Sequence, residues 1–349
     1  MVSDGGMDKQ PGGDAAAEKE KSVVLSHKED LDGISAAALM VQSYGCDVKL
    51  ADYEGMMGAL KHIAADPSVK RLFVCDLGLS ERNQDEFVEV MGRMRKTMPV
   101  TYIDHHAIDE GVAGRLKDAG ITMIHDTLDC ASVLAYEAFR DRLDEHASFT
   151  AACAAVSDYM EDGPAASPLM RMYDRLFVML NATVLAQCVA AKQRDKDYLK
   201  QLVGELAASR YAHEITGSFE TARQQCEPVP DMIRTVRDGV KRLRHVAYMD
   251  MTESGYKRAA NFVLGLGALD VGVSYRAKKE HYSASIRGTD ACDVHLGRLV
   301  NETASALGGS GGGHARACGA MIPLPNIDDF VRELDRRVGV EMQGGGVLQ

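Results

Sequence analysis

The chain has 349 residues, 46% of them hydrophobic and 26% charged, with a formal net charge of −11. That is the ordinary globular mixture at a length suited to about two domains, and it excludes wholesale disorder. The excess of acid disfavours a broad basic footprint on duplex DNA, while a small phosphate substrate can still be met by local cations. Residues 1–21, rich in Gly, Ala, Glu and Lys, read as a mobile tail. They hold no hydrophobic signal core, and no apolar run reaches the roughly 18 residues of a membrane span, so no membrane partner is expected. The eight cysteines are scattered with no CxxC pair. Cys46, Cys75, Cys153 and Cys188 in apolar stretches read as buried, reduced thiols of a cytoplasmic protein.

Ser22–Ser26 is a short apolar run predicting a strand. It is followed by a helical stretch over Ile34–Tyr44, a strand over Asp47–Ala51 and a helix over Gly55–Ala65, stopped by Pro67. A strand over Arg71–Cys75, a helix over Asn83–Lys96 and a strand over Val100–Ile103 complete the pattern. Strands alternating with helices argue for βαβ units on a parallel sheet, whose ligands sit beyond the carboxyl ends of the strands. From Cys130 to about Gln224 the pattern turns helical, with one long amphipathic helix over Ser167–Lys192. Pro228 and Pro230 then interrupt it. A second α/β pattern follows: strands over Val246–Met251, Asp270–Tyr275 and Tyr282–Arg287, and helices over Lys257–Leu264 and Val294–Leu307. The latter runs into a glycine-rich loop, Gly308–His314. Gly339–Gln349 reads as a frayed tail.

Four clusters of ligand-type residues end predicted strands or helices. The first holds His27, Asp30 and Asp32. In an extended segment the two acids project to one side, which suits a hard-to-borderline cation such as Mn²⁺ or Mg²⁺. The bland alternative is an acidic turn with Asp32 as helix N-cap. The second is Asp76, at the end of an all-apolar strand. The third is Asp104-His105-His106, in which an adjacent carboxylate and imidazole could supply both a ligand and its orienting partner. The fourth is Asp158, closing a small-residue helix. Taken together, His27, Asp30, Asp32, Asp76, His105 and Asp158 make a ligand set for two metals clamping a phosphoryl displacement. Burying so many acids without cations would be costly. In the second half, Gly308–His314 with Arg316, and separately Arg287, are candidates for anion binding. No GK[ST] follows the glycines, so this is not a nucleotide P-loop.

The order His27…Asp30-x-Asp32, Asp76, Asp104-His105-His106, Asp158 resembles the motifs of the DHH phosphoesterase family. Gly311-Gly312-Gly313-His314-Ala315-Arg316-Ala317-Cys318-Gly319 resembles the GGGH signature of its DHHA1 domain, and Asp129–Glu137 a segment between the third and fourth motifs. The resemblance, to RecJ-like and nanoRNase-type phosphodiesterases, implies an α/β fold in which a parallel-sheet DHH domain and a smaller C-terminal α/β DHHA1 domain flank a cleft. The expected boundaries are a tail at 1–21, the DHH catalytic domain at 22–205, a helical linker at 206–245, the DHHA1 substrate-binding domain at 246–338 and a flexible tail at 339–349. The resemblance also implies two Mn²⁺ ions, with Mg²⁺ as the alternative. His27, Asp30 and Asp76 would hold one, and Asp32, Asp76, His105 and Asp158 the other. Asp104 would orient His105. His106 would contact the scissile phosphate or protonate the leaving oxygen. Arg287, Gly312, Gly313, His314 and Arg316 would bind substrate. Two residues separate His27 from Asp30 where the family shows one or three, which leaves Glu29 as an alternative to Asp30. The implied activity is hydrolysis of short oligonucleotides or dinucleotides to mononucleotides, as by an exonuclease. A 3′-phosphoadenosine 5′-phosphate phosphatase, a cyclic dinucleotide phosphodiesterase and an inactive nucleic-acid-binding scaffold are the alternatives. The resemblance also admits a homodimer.

Overall fold

The computed structural model describes residues 20–80, 82–251, 255–289, 291–313 and 315–344. The N-terminal unit alternates strand and helix: β1 Lys21–His27, α1 Leu31–Tyr44, β2 Asp47–Ala51, α2 Met56–Ala64, β3 Val69–Cys75, α3 Gln84–Arg95, β4 Val100–Asp104, α4 Glu110–Asp118 and β5 Thr122–His125. The five strands form one parallel sheet in the order β2-β1-β3-β4-β5. The side-chain alternation of a strand divides its core in two. Val24 and Phe73 face one layer, and Val23, Leu25, Leu72 and Val74 face the other with α2, α3 and α4. The first layer is helical: α1 with α5 Ala131–Phe139, α6 Ala147–Ser157, α7 Ala166–Met170, α8 Arg175–Lys192, α9 Lys196–Ala207 and α10 Ser218–Cys226. Strand order reverses between β1 and β3, and in open parallel sheets ligands sit beyond the carboxyl ends of the strands at such a point.

After α11 Val229–Gly239 comes a mixed sheet built from β6 Lys241–Arg242, β7 Val246–Asp250, β8 Val271–Ala277, β9 His281–Gly288, β10 Ser310–Gly313 and β11 Ala317–Pro323. Its order is β10-β11-β9-β8-β7-β6, parallel only between β7 and β8. Helices α13 Leu296–Ala306 and α14 Ile327–Gly344 pack on one face. Helix α12 Tyr256–Gly267 packs with α11 on the other. Gly272 permits that contact, since a Cβ there would lie 2.4 Å from the Leu264 backbone nitrogen. Polar residues of α12 reach back to the first unit. Lys257 Nζ lies 3.6 Å from Glu29, Arg258 donates to the Gln225 carbonyl at 2.6 Å and to Gln187, and Asn261 donates to the Tyr159 hydroxyl at 3.5 Å.

Several expectations are corrected. The N-cap of α1 is Asp30, which accepts from the Gly33 N–H at 3.0 Å, not Asp32. The helix therefore starts at Leu31, and Asp32 sits in its first turn rather than in an extended segment. The stretch 167–192 is two helices, because Asp174 accepts from the Phe177 N–H and starts α8 afresh. Pro230 does not break a helix but stands in the first turn of α11, where its missing N–H costs nothing. The segment 206–245 is largely helical, and its helices divide between the two units. Helix α10 belongs to the first core through Ala222, and α11 to the second through Val236. The glycine run expected as a loop is strand β10, paired with β11 at Gly312↔Gly319 and Gly313↔Cys318. Helix α14 continues to Gly344, tied by the Glu341–Arg298 ion pair at 2.6 Å, where a tail was expected from 339. Of the expected N-terminal tail, Lys21 already belongs to β1, and residues 1–19 lie outside the described residues.

All eight cysteines are free thiols, and Cys46, Cys75, Cys153 and Cys188 are buried as expected. Among the described residues, α8 alone is long and apolar enough to cross a membrane. It packs instead against α1, α6 and α10, with Val178, Leu185 and Cys188 in the core.

Candidate metal centre

Four separated segments meet above β1, β3 and β4. His27 is the last residue of β1, and its Nε2 lies 3.4 Å from Asp30 Oδ2. Gly33 lets α1 start this close to the strand. A Cβ there would fall 2.4 Å from the His27 carbonyl oxygen. Ser26 ties the same point by donating to the Gly33 carbonyl at 2.6 Å. Asp76 follows β3 in the left-handed region at φ 54°, a conformation that Asp tolerates better than most residues. Its N–H extends the ladder to the Ile103 carbonyl.

The convergence is on His105. Its Nε2 lies 3.3 Å from Asp76 Oδ1, 3.4 Å from Asp158 Oδ2 and 3.8 Å from Asp32 Oδ2. Asp32 is oriented by the start of α5: the N–H groups of Ala131 and Ser132 each donate to it at 2.8 Å. A helix N-terminus favours a carboxylate there, and each carboxylate oxygen keeps a further lone pair. This explains the segment Asp129–Glu137 physically. Asp129 meanwhile caps the chain before α7 through the Ala165 and Ala166 N–H groups.

The electrostatics ask for a cation. Burial, then repulsion from Asp30, Asp32 and Asp158, pushes the Asp76 carboxyl well above its ordinary range. Burial with Asp32 and Asp30 does the same to Asp158. Burial lowers His105. Asp76 Oδ2, Asp158 Oδ2 and His27 Nδ1 are buried without a hydrogen-bond partner. Oxygen and imidazole donors crowded in this way fit hard-to-borderline divalent cations. Two compact donor groups result, Asp32/His105/Asp158 and Asp76/His105/His106.

The adjacency reading of Asp104 is corrected. Strand parity turns His105 toward the acids and sends Asp104 and His106 the other way, together. Asp104 Oδ1 is 2.9 Å from His106 Nδ1, and its Oδ2 accepts from the Tyr102 hydroxyl at 2.7 Å. Asp104 therefore orients His106. Because Nδ1 is taken up there, its 4.0 Å approach to Asp76 Oδ1 is a poor ligand contact. Burial lowers the His106 imidazole, but Asp104 outweighs it and the net result is a pKa of about 9. Burial raises Asp104, yet the His106 charge and hydrogen bond bring it below the usual carboxylate range. A Cβ on Gly78 would fall 2.6 Å from His106 Cγ, so only glycine leaves the ring its place.

Glu29 points elsewhere, its carboxylate toward Lys257 and its carbonyl toward Gln193. Asp30 lies beside both His27 and Asp76. In the second unit, Arg287 is paired in register with Ala317, and the Gly288 N–H donates to the Arg316 carbonyl at 2.9 Å. Arg287, Gly312, Gly313 and Arg316 thus share one corner of the sheet. Arg287 Nε is buried there without a hydrogen-bond partner. His314 lies outside the described residues.

The sequence reading missed Tyr53, Tyr102 and Gly78. Tyr102 was legible from parity, since residues 102, 104 and 106 share one side. Tyr53 follows the carboxyl end of β2, where the sheet rule points. Its hydroxyl lies 2.9 Å from His106 Nε2, and its ring centroid 4.7 Å from that of His27.

Comparison with known proteins agrees with this architecture. Residues 245–339 match the DHHA1 domain family. A DHH domain described as a member of the s1p family of ribosomal proteins superposes at TM-score 0.69, with 13% identity over 92% of this chain and 87% of that one. The chain has the DHH–DHHA1 fold. RecJ from Thermus thermophilus, solved with Mn²⁺, superposes at TM-score 0.59 with 14% identity over 92% of this chain and 52% of its own. The chain therefore spans about half of that RecJ. The pGpG-specific phosphodiesterase PggH from Vibrio cholerae superposes at TM-score 0.54 with 12% identity over 91% of this chain and 99% of that one. No curated protein sequence matches the chain.

Proposed function

We propose that this DHH–DHHA1 protein is a divalent-cation-dependent phosphodiesterase that hydrolyses short oligonucleotides or dinucleotides to mononucleotides, with Mn²⁺ as its preferred ion. The observation that carries the reading is the meeting of Asp32, Asp76 and Asp158 within 3.8 Å of one imidazole nitrogen, at a sheet's switch point. The phosphodiesterase named among the structural neighbours supports it. His27, Asp30 and Asp76 would hold one cation and Asp32, Asp76, His105 and Asp158 the other, Asp76 being shared. Bound cations would withdraw charge from the phosphoester oxygens and supply a water nucleophile at neutral pH. The chain's own contribution is to aim these donors, to exclude bulk water and to keep a proton source beside them. Asp104 holds the His106 imidazole in its charged form, so a proton is available to the leaving oxygen. Arg287, Gly312, Gly313, His314 and Arg316 would bind the part of the substrate away from the scissile bond. The acidic balance and the absence of Trp favour short substrates over a long stacked strand.

The test is a substrate panel with Mn²⁺ and Mg²⁺: end-labelled di- to pentanucleotides, cyclic and linear dinucleotides, and 3′-phosphoadenosine 5′-phosphate. Release of mononucleotides from a linear dinucleotide is expected. Turnover of the monoester alone, or of nothing in the panel, overturns the reading. A companion prediction concerns Gly78→Ala. The added methyl must displace the His106 ring and leaves the acids around His105 untouched. It is expected to lower kcat roughly 10- to 100-fold with the Mn²⁺ dissociation constant, from calorimetric titration, unchanged.

A further inference from the structure

Tyr159 follows the candidate ligand Asp158 and stands where the backbone asks for glycine. Helix α6 ends in the paired hydrogen bonds of a Schellman turn. The Met160 N–H donates to the Ala155 carbonyl at 2.9 Å, and the Tyr159 N–H to the Val156 carbonyl at 3.3 Å. The residue after the cap in such a turn is left-handed and usually glycine, and Tyr159 takes φ 58°. A bulky side chain is strained there. Burial does not offset the strain, since Tyr159 is 71% exposed.

The uncovered ring belongs to the rim of the metal centre. Beyond it the chain turns back against the loop before α5, where a Cβ on Gly163 would lie 2.5 Å from the Leu128 carbonyl oxygen. Leu128 is exposed as well, and three residues on, the Ala131 N–H holds Asp32. On the other side stands α12. Lys257 and Asn261 lie one turn apart on one face of that helix. The first is 3.6 Å from Glu29, and the second donates to the Tyr159 hydroxyl at 3.5 Å. Glu29 lies between His27 and Asp30, so this face of α12 touches both the first and the fourth ligand segments. The Tyr159 ring thus reaches from the metal centre to the second unit.

We propose that Tyr159 is a nucleobase platform, on which the base of the nucleotide next to the scissile phosphate stacks. This rests on the phosphodiesterase reading given above. A base lies one sugar away from its phosphate, and the ring lies one residue away from Asp158. A phosphate held at the cations therefore brings a neighbouring base within reach of the ring. Every base has a π-face, so the platform accepts purines and pyrimidines alike. One ring serves one base, which suits a dinucleotide better than a long strand.

Removing the ring and removing the base should be equivalent, and that equivalence is the test. Tyr159→Gly gives the turn its preferred residue, so the variant is expected to melt higher than wild type. On a linear dinucleotide its kcat/KM is expected to fall about 5- to 100-fold, mainly through KM. On an analogue with the same sugars and phosphates but neither base, that factor should vanish. Asn261→Ala removes the partner of the hydroxyl and leaves the ring, and its kcat/KM on the dinucleotide should stay within about three-fold of wild type. An equal loss for Tyr159→Gly on both substrates, no loss on either, or a matching loss in Asn261→Ala overturns the platform. The last of these would make Tyr159 a tie between the two units. Failure of the wild-type protein to cleave the dinucleotide instead overturns the underlying function.

Discussion

Asp76→Asn is expected to abolish hydrolysis, lowering kcat by at least about 10³-fold, and at the same time to raise the melting temperature of the metal-free protein. The two effects have one cause. Asp76 is 3% exposed, and its carboxyl is pushed upward by burial and by Asp30, Asp32 and Asp158. In the metal-free fold its ionised form is therefore disfavoured relative to the unfolded chain, and at neutral pH that charge lowers stability. Asparagine keeps the shape, tolerates φ 54° and removes the charge. On the proposed reading the sign reverses with cations present, since the same charge would become the shared ligand. A cation at 100 times its dissociation constant stabilises by about 2.7 kcal/mol. At roughly 2–4 °C per kcal/mol, that is a shift of several degrees for a unit of this size. Thermal melts with and without Mn²⁺ should show wild type gaining those degrees and Asp76→Asn gaining few or none. A variant that melts lower without metal and still responds to Mn²⁺ would mark Asp76 as a structural residue.

The candidate ligands His27, Asp76 and His105 were legible because they lie at or just past strand ends, and strand ends were legible from short apolar runs. His27, Asp76 and His105 needed only the sheet and its polarity to be brought together. What could not be read was the direction in which neighbouring side chains point. Asp104 stands next to His105 in sequence, yet parity pairs it with His106. Asp30 and Asp32 show the same i, i+2 spacing, but a helix starts between them, so one caps and the other turns inward to meet α5. The glycine run carried a second ambiguity. Glycines permit a phosphate-cradling loop, and equally a strand edge whose neighbours approach closely, and here Gly311 has Val300 Cγ1 2.9 Å from where a Cβ would stand. Strand β5 escaped notice because it is a four-residue edge strand with no fully buried side chain and hence little apolar signal. Within the stretch between the two α/β patterns, prolines mark both breaks and helix starts, and only packing partners tell α10 from α11.

Asp104→Asn separates the two orientations of the DHH triplet and is expected to act opposite to Asp76→Asn in every readout but one. Asp104 is 1% exposed and accepts from two donors, the Tyr102 hydroxyl and His106 Nδ1. An asparagine has one accepting oxygen and one donating amide, so it cannot satisfy both without turning the phenol or the imidazole. The imidazole also loses the carboxylate that keeps it charged. On the geometry seen here kcat should fall about 10²- to 10⁴-fold, because the proton source is lost. Mn²⁺ affinity should stay within about three-fold, because none of the acids around His105 Nε2 is altered. Stability should fall by about 1–3 kcal/mol through the lost charge-assisted bond. Had Asp104 oriented His105, the cation affinity would fall together with kcat. Calorimetric titration of Mn²⁺ into the variant, alongside single-substrate kinetics, distinguishes the two. Retained affinity with lost turnover assigns Asp104 to the proton path, and parallel loss assigns it to the metal.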